Sequence, residues 1–209
     1  MEDRIRILLV EDDSDWIKAM TSYLNGEDDL LVVGAAMAAD EAVRLARTLD
    51  FDVALVDIQL AEGGSEGIRA AADLLDVRPV RVIMLTSMND EHTITRAFTA
   101  GAVNYIEKSR FRDIPQAIRA ACRQPGPMDA LLKEFARLKR EEQLSGLTPA
   151  EREVFEHLEA GYTQAEIERK LFKTESTLKN QVGKILKKLG VRTSKQAVDK
   201  VRRRGIDSE

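Results

Sequence analysis

The chain of 209 residues has one cysteine, Cys122, one tryptophan, Trp16, five prolines and only 5% aromatic side chains. A single cysteine excludes an internal disulfide framework and suits a reducing compartment. No apolar run approaches the roughly 20 residues that a membrane-spanning helix needs, and the opening Met1-Glu2-Asp3-Arg4 does not start a secretory signal. A cytoplasmic protein without a membrane partner is therefore expected. No internal repeat or low-complexity tract is present.

Charge is plentiful but uneven. Residues 1–144 hold 18 Lys+Arg against 26 Asp+Glu, whereas residues 145–209 hold 14 against 10. Between residues 171 and 204 there are eleven basic side chains and two acids, Glu175 and Asp199. A stripe of that kind suits a polyanion.

Strand-like apolar runs at 5–10, 30–36, 53–56, 80–85 and 103–106 alternate with helix-period segments at 15–24, 40–49, 66–75, 90–100 and 112–122. Five strand and helix pairs in that rhythm predict a doubly wound α/β domain, a parallel sheet with helices on both faces. Gln124-Pro125-Gly126-Pro127 breaks the pattern, and residues 128–144 read as an amphipathic linker helix. The remainder is all helix. Thr148-x-x-Glu151, Thr163-x-x-Glu166 and Thr193-x-x-Gln196 are capping boxes, residues 175–189 form a basic helix after a turn at Lys173-Thr174, and the four helices predict a helix-turn-helix. The expected division is 1–123, 124–144 and 145–209.

Ligands of a parallel sheet gather at the carboxyl ends of its strands. Glu11-Asp12-Asp13 follow the first strand and Asp57 the third, so their acids converge on one edge. Like charges in a dry cleft cannot all stay ionised without a cation, and oxygen-only donors suit Mg²⁺. Thr86 at the end of the fourth strand and Lys108 after the fifth bring a hydroxyl and an ammonium to the same edge. Asp13 reads as a helix start.

With this set of strand-end residues, residues 4–122 resemble the receiver domain of a two-component response regulator. The tail, from Leu147-Thr148-Pro149-Ala150-Glu151-Arg152-Glu153-Val154 to Lys187-Lys188-Leu189-Gly190-Val191-Arg192, is similar to the LuxR-type helix-turn-helix of the NarL/FixJ family. The resemblance implies a transcription factor and not an enzyme. It makes Asp57 the acceptor of a phosphoryl group from a sensor histidine kinase, with Thr86 and Lys108 assisting. Asp12, Asp57 and the main-chain carbonyl of Gln59 would ligate Mg²⁺, and Glu11 would help through water. Thr86 and Tyr105 would form the switch. In the tail, Lys179, Asn180 and Gly183 would read double-stranded DNA, with Thr177, Lys184, Lys187 and Lys188 near its backbone. The last helix, with Ser194, Ala197, Val198 and Val201, would join a homodimer when the chain is phosphorylated.

The sequence departs from the family at two places by the acceptor site. Lys108 precedes Ser109 where receivers commonly have a proline, which leaves a trans bond and a differently aimed lysine open. Ala61 and Ser65 stand where a proline and a glycine are usual, and glycine arrives only at Gly67. Gly63, Gly64 and Gly67 are expected to turn a longer, more mobile loop with positive φ. In the tail, Gln181 replaces a common histidine and Glu168 a small residue. Two other readings stay open: a receiver that docks a partner with weak or lost phosphorylation, and a Mg²⁺-dependent phosphatase with Asp57 as nucleophile. Gln59 stands where the second acid of such a phosphatase would be.

Overall fold

The computed structural model describes residues 4–60, 66–87, 90–122 and 127–203. The chain divides into two compact units between Glu134 and Phe135.

The first unit is a five-stranded parallel sheet in the order β2-β1-β3-β4-β5. Its strands are β1 (Ile5–Val10), β2 (Leu30–Ala36), β3 (Val53–Asp57), β4 (Arg81–Thr86) and β5 (Asn104–Glu107). The intervening helices are α1 (Ser14–Asn25), α2 (Ala39–Thr48), α3 (Glu66–Val77), α4 (Glu91–Ala100) and α5 (Ile114–Cys122). Every residue of the central β3 is buried, as expected for a strand covered on both faces. One core layer joins Ile7, Leu9, Leu55, Ile83 and Leu85 of the sheet to Met20 and Leu24 of α1 and Ile114 and Ile118 of α5.

The expected strands appear within a residue of their ends. The helix expected over 112–122 starts later. Lys108–Asp113 forms a 3₁₀ segment, and α5 begins at Ile114, where Pro115 lacks an N–H and suits a first turn.

Helix α6 (Pro127–Leu144) runs up to the second unit's helices α7 (Pro149–Glu159), α8 (Gln164–Leu171), α9 (Glu175–Leu189) and α10 (Ser194–Arg202). The end of α6 packs with them: Leu144 is fully buried in their core, and Arg140 and Glu141 pair with Glu159 and Arg152. Thr148, Thr163 and Thr193 each accept from the backbone three residues on, and Glu151, Glu166 and Gln196 return the bond, so all three capping boxes form. Phe172, which ends α8, has φ 51° and is 96% exposed.

Candidate functional site

Strands β1 and β3 lie side by side, with Val10 opposite Val56, so the residues that follow are neighbours: Glu11 and the strand-final Asp57. Carboxylate oxygens of Glu11, Asp12 and Asp57 all lie within 4.8 Å of one another. Glu11 and Asp57 are buried, and Asp12 is exposed. This set of hard oxygen donors fits a divalent cation.

Lys108 reaches the same point from the far side of β4. Its Nζ lies 2.8 Å from Asp57 Oδ2 and 2.6 Å from Glu11 Oε2. Asp57 Oδ1 accepts the Gln59 N–H at 3.2 Å. Burial pushes the Glu11 carboxyl up to about 7; Lys108 opposes this and the Asp57 charge adds to it. Burial acts to lower the pKa of Lys108, but its hydrogen bonds to Asp57 and Glu11 outweigh that and hold it above the ordinary lysine value. The bond after Lys108 is trans, since no described peptide bond is cis, and the lysine still finds both acids. Asp13 is a helix start, as expected: its side chain accepts from the N–H groups of Asp15 and Trp16 and caps α1.

Register carries Thr86 to the same edge, opposite Glu107 and one residue before Lys108. Thr86 is fully buried and hydrogen-bonded to the Tyr105 side chain, which is half-buried. Burial raises the Tyr105 pKa, and the Thr86 bond partly offsets this. The two expected switch residues are therefore in direct contact.

Gly67 requires a correction. It sits in the first turn of α3, and the described glycines with positive φ are Gly101, Gly161 and Gly190. What excludes a side chain at residue 67 is contact, because a Cβ there would overlap the carbonyl oxygen of Asp57. The Gly67 N–H donates to the Ile58 carbonyl at 3.1 Å, which ties α3 to the chain just past Asp57. Ala61, Gly63, Gly64, Ser65 and the expected loop mobility lie outside the described residues.

In the tail, Thr177, Lys179, Asn180, Gly183, Lys184 and Lys187 are exposed along α9, while Leu178, Val182, Ile185 and Leu189 are buried beneath it. A side chain at Gly183 would meet nothing within 4 Å. Lys188 is exposed on the same helix and also makes an ion pair within its own domain. Its ammonium is 2.6 Å from Glu151 Oε2, a carboxylate with a side chain only 6% exposed, so it serves the fold of its own domain. Ala197 and Val201 are corrected. Both are buried in the domain core, which leaves the half-buried Ser194 and Val198 as the accessible part of that set on α10.

Sheet order, strand-end acids, lysine and helix-turn-helix agree with what two family models match. Residues 7–119 match the response regulator receiver domain, and residues 145–201 match the bacterial regulatory proteins of the luxR family. The chain belongs to the LuxR-type response regulators. Among similar proteins, the transcriptional regulatory protein LiaR of Bacillus subtilis is 32% identical over 92% of this chain and 94% of its own. Response regulator protein VraR of Staphylococcus aureus is 32% identical over 93% and 94%. The response regulator domain of Thermotoga maritima CheB is 30% identical, covers 58% of this chain and 99% of its own, and superposes with a TM-score of 0.52. Response regulators that act as transcription factors are generally not enzymes. None of the described helices of this one is long and apolar enough to cross a membrane.

Sequence reasoning overlooked one neighbour of the response regulator's acidic site. The Trp16 ring centroid is 5.0 Å from Lys108 Nζ, a cation–π distance. Its signal was local, since Asp13 caps α1 and Trp16 falls in the first turn that this cap fixes beside Glu11.

Proposed function

We propose that Asp57 accepts a phosphoryl group from the phosphohistidine of a sensor histidine kinase, and that this event controls dimerisation and sequence-specific DNA binding in the cytoplasm. The observation that carries the reading is the position of Lys108, between Asp57 and Glu11 at the edge where β1, β3 and β5 end. Asp57 acts as nucleophile and Lys108 offsets the charge that gathers on the transferred group. Asp12, Asp57, the Gln59 carbonyl and, through water, Glu11 would hold Mg²⁺, which supplies further charge neutralisation when bound. Thr86 then turns its hydroxyl to the phosphoryl oxygen and leaves Tyr105 to repack, a two-state device biased by new contacts.

In this reading residues 1–123 receive the signal, 124–144 link and 145–209 bind DNA. Lys179, Asn180 and Gly183 face base edges, and Thr177, Lys184 and Lys187 face phosphates. Ser194 and Val198 face the partner copy.

The test is incubation with Mg²⁺ and a small phosphodonor, followed by intact-mass measurement and a DNA mobility shift. One phosphoryl adduct per chain is expected, lost in Asp57→Asn, together with tighter DNA binding. An adduct that persists in Asp57→Asn defeats the acceptor assignment. A wild-type adduct without any change in DNA binding defeats the coupling.

A further inference from the structure

A cavity of about 580 Å³ lies at the end of the sheet opposite Asp57, at the start of β1 and β4 and the end of α5. Among the described residues, four arginines, Arg4, Arg6, Arg78 and Arg81, line it together with one carboxylate, Asp52. These guanidiniums gather in the acidic half of the chain. The volume is in the range of small-molecule sites, roughly 300 to 1,000 Å³.

The arginines differ in how they are held. Arg78 is fixed: its guanidinium donates to the Leu49 carbonyl at 2.5 Å and to Asp50 at 3.1 Å, and it lies 5.2 Å from the Phe51 ring centroid. The Arg6 guanidinium meets Asp52 and Asp50 only at 3.6 and 3.7 Å and its side chain is 41% exposed, while the Arg6 main-chain N–H donates to Asp52 Oδ2 at 2.8 Å. A fixed guanidinium, Arg78, beside a loosely paired one, Arg6, provides donors for an arriving anion at little cost in ordering. Planar, always-charged guanidiniums match phosphate oxygens in paired hydrogen bonds. Phe51 is 2% exposed beneath Arg78, so the described lining residues offer no open ring for a base to stack on. The lining therefore recognises charge and is indifferent to an attached aromatic base.

We propose that this cavity binds a small anion with adjacent phosphates, either an inorganic triphosphate or the phosphate tail of a nucleotide. Calorimetric titration of the full chain with inorganic triphosphate, with a chelator present to remove divalent ions, should show saturable binding to one site. Arg6→Gln combined with Arg81→Gln should weaken it at least tenfold, while Lys184→Gln combined with Lys187→Gln in α9 should change it less than twofold. The reverse pattern, or no saturable binding, overturns the site. Adenosine triphosphate should bind within threefold of inorganic triphosphate, and tenfold tighter binding would refute recognition through phosphate alone. Cys122, the sole cysteine, is exposed and lines the cavity, so it reports occupancy without any arginine substitution. Saturating triphosphate should slow its alkylation by iodoacetamide at least fivefold, and an unchanged rate overturns the proposal even if the arginine variants fail to fold.

Discussion

Gly67 packs so closely on Asp57 that the carbonyl of the expected acceptor fills the space where any other residue would place its Cβ. The contact joins the start of α3 to the end of β3, so a change at residue 67 would be felt at residue 57.

Gly67→Ala should therefore destabilise the first unit by about 1 to 3 kcal/mol, the usual cost of overpacking, and slow phosphorylation of Asp57. Gly183→Ala is the control, because its Cβ enters open space inside a helix, where alanine is favoured by about 1 kcal/mol. Urea unfolding of both variants checks this, and equal stabilities would contradict it.

Glu11 gives the protein a pH dependence. With its carboxyl pushed up to about 7 from 4.5, the folded state keeps this proton to higher pH than the unfolded chain does. The protonated form thus favours the fold, and that advantage drains away as pH rises through the interval from about 4.5 to 7. In chelator, stability should fall between pH 5.5 and 8 by on the order of 2 kcal/mol. Glu11→Gln should flatten the slope, and Mg²⁺ at pH 8 should restore stability in the parent protein. Thermal melts across this range provide the measurement, and an equal slope in Glu11→Gln would count against the assignment.

Trp16 is a built-in probe. It is the sole tryptophan, and its ring sits 5.0 Å from Lys108 Nζ. Its emission should change when Mg²⁺ is added and again when a phosphodonor follows, with the second change missing in Asp57→Asn. Emission indifferent to both additions would mean that Lys108 stays in place whatever the acids hold.

The lysines of α9 should separate into two kinds. Lys188→Ala strands the buried Glu151 carboxylate and should cost about 1 kcal/mol of tail stability, reduced by the partial exposure of the lysine. Lys187→Ala should leave stability alone, weaken DNA binding across sequences and lower the salt slope by about 1. Thermal melts and DNA titrations at several salt concentrations distinguish them.

What could be read from the sequence was mostly local. Alternating apolar runs gave five strands within a residue of their ends, and Thr-x-x-Glu and Thr-x-x-Gln located three helix starts, because each signal acts across only three or four residues. The convergence of Glu11, Asp57, Thr86 and Lys108 was also legible, since strand order in a parallel sheet determines which ends meet. What escaped was contact between distant parts. Lys188 and Glu151 are 37 positions apart, and no local period announces their pairing. Ala197 and Val201 are four apart, the spacing of a buried helix face, yet the resemblance to a dimerisation helix outweighed that periodicity. Gly67 reads as a loop glycine because glycine is common where φ is positive, whereas the crowding that excludes a side chain there comes from the end of β3.

Phe172 holds φ 51° with its ring 96% in water. A bulky residue in the left-handed region costs on the order of 1 to 3 kcal/mol, and this ring recovers almost none of that by burial. Asparagine would hold the same turn more cheaply, so the domain sits below the stability its own backbone would permit. The margin is a reserve for engineering: one substitution at the turn should harden the tail without touching the exposed residues of α9 that follow it.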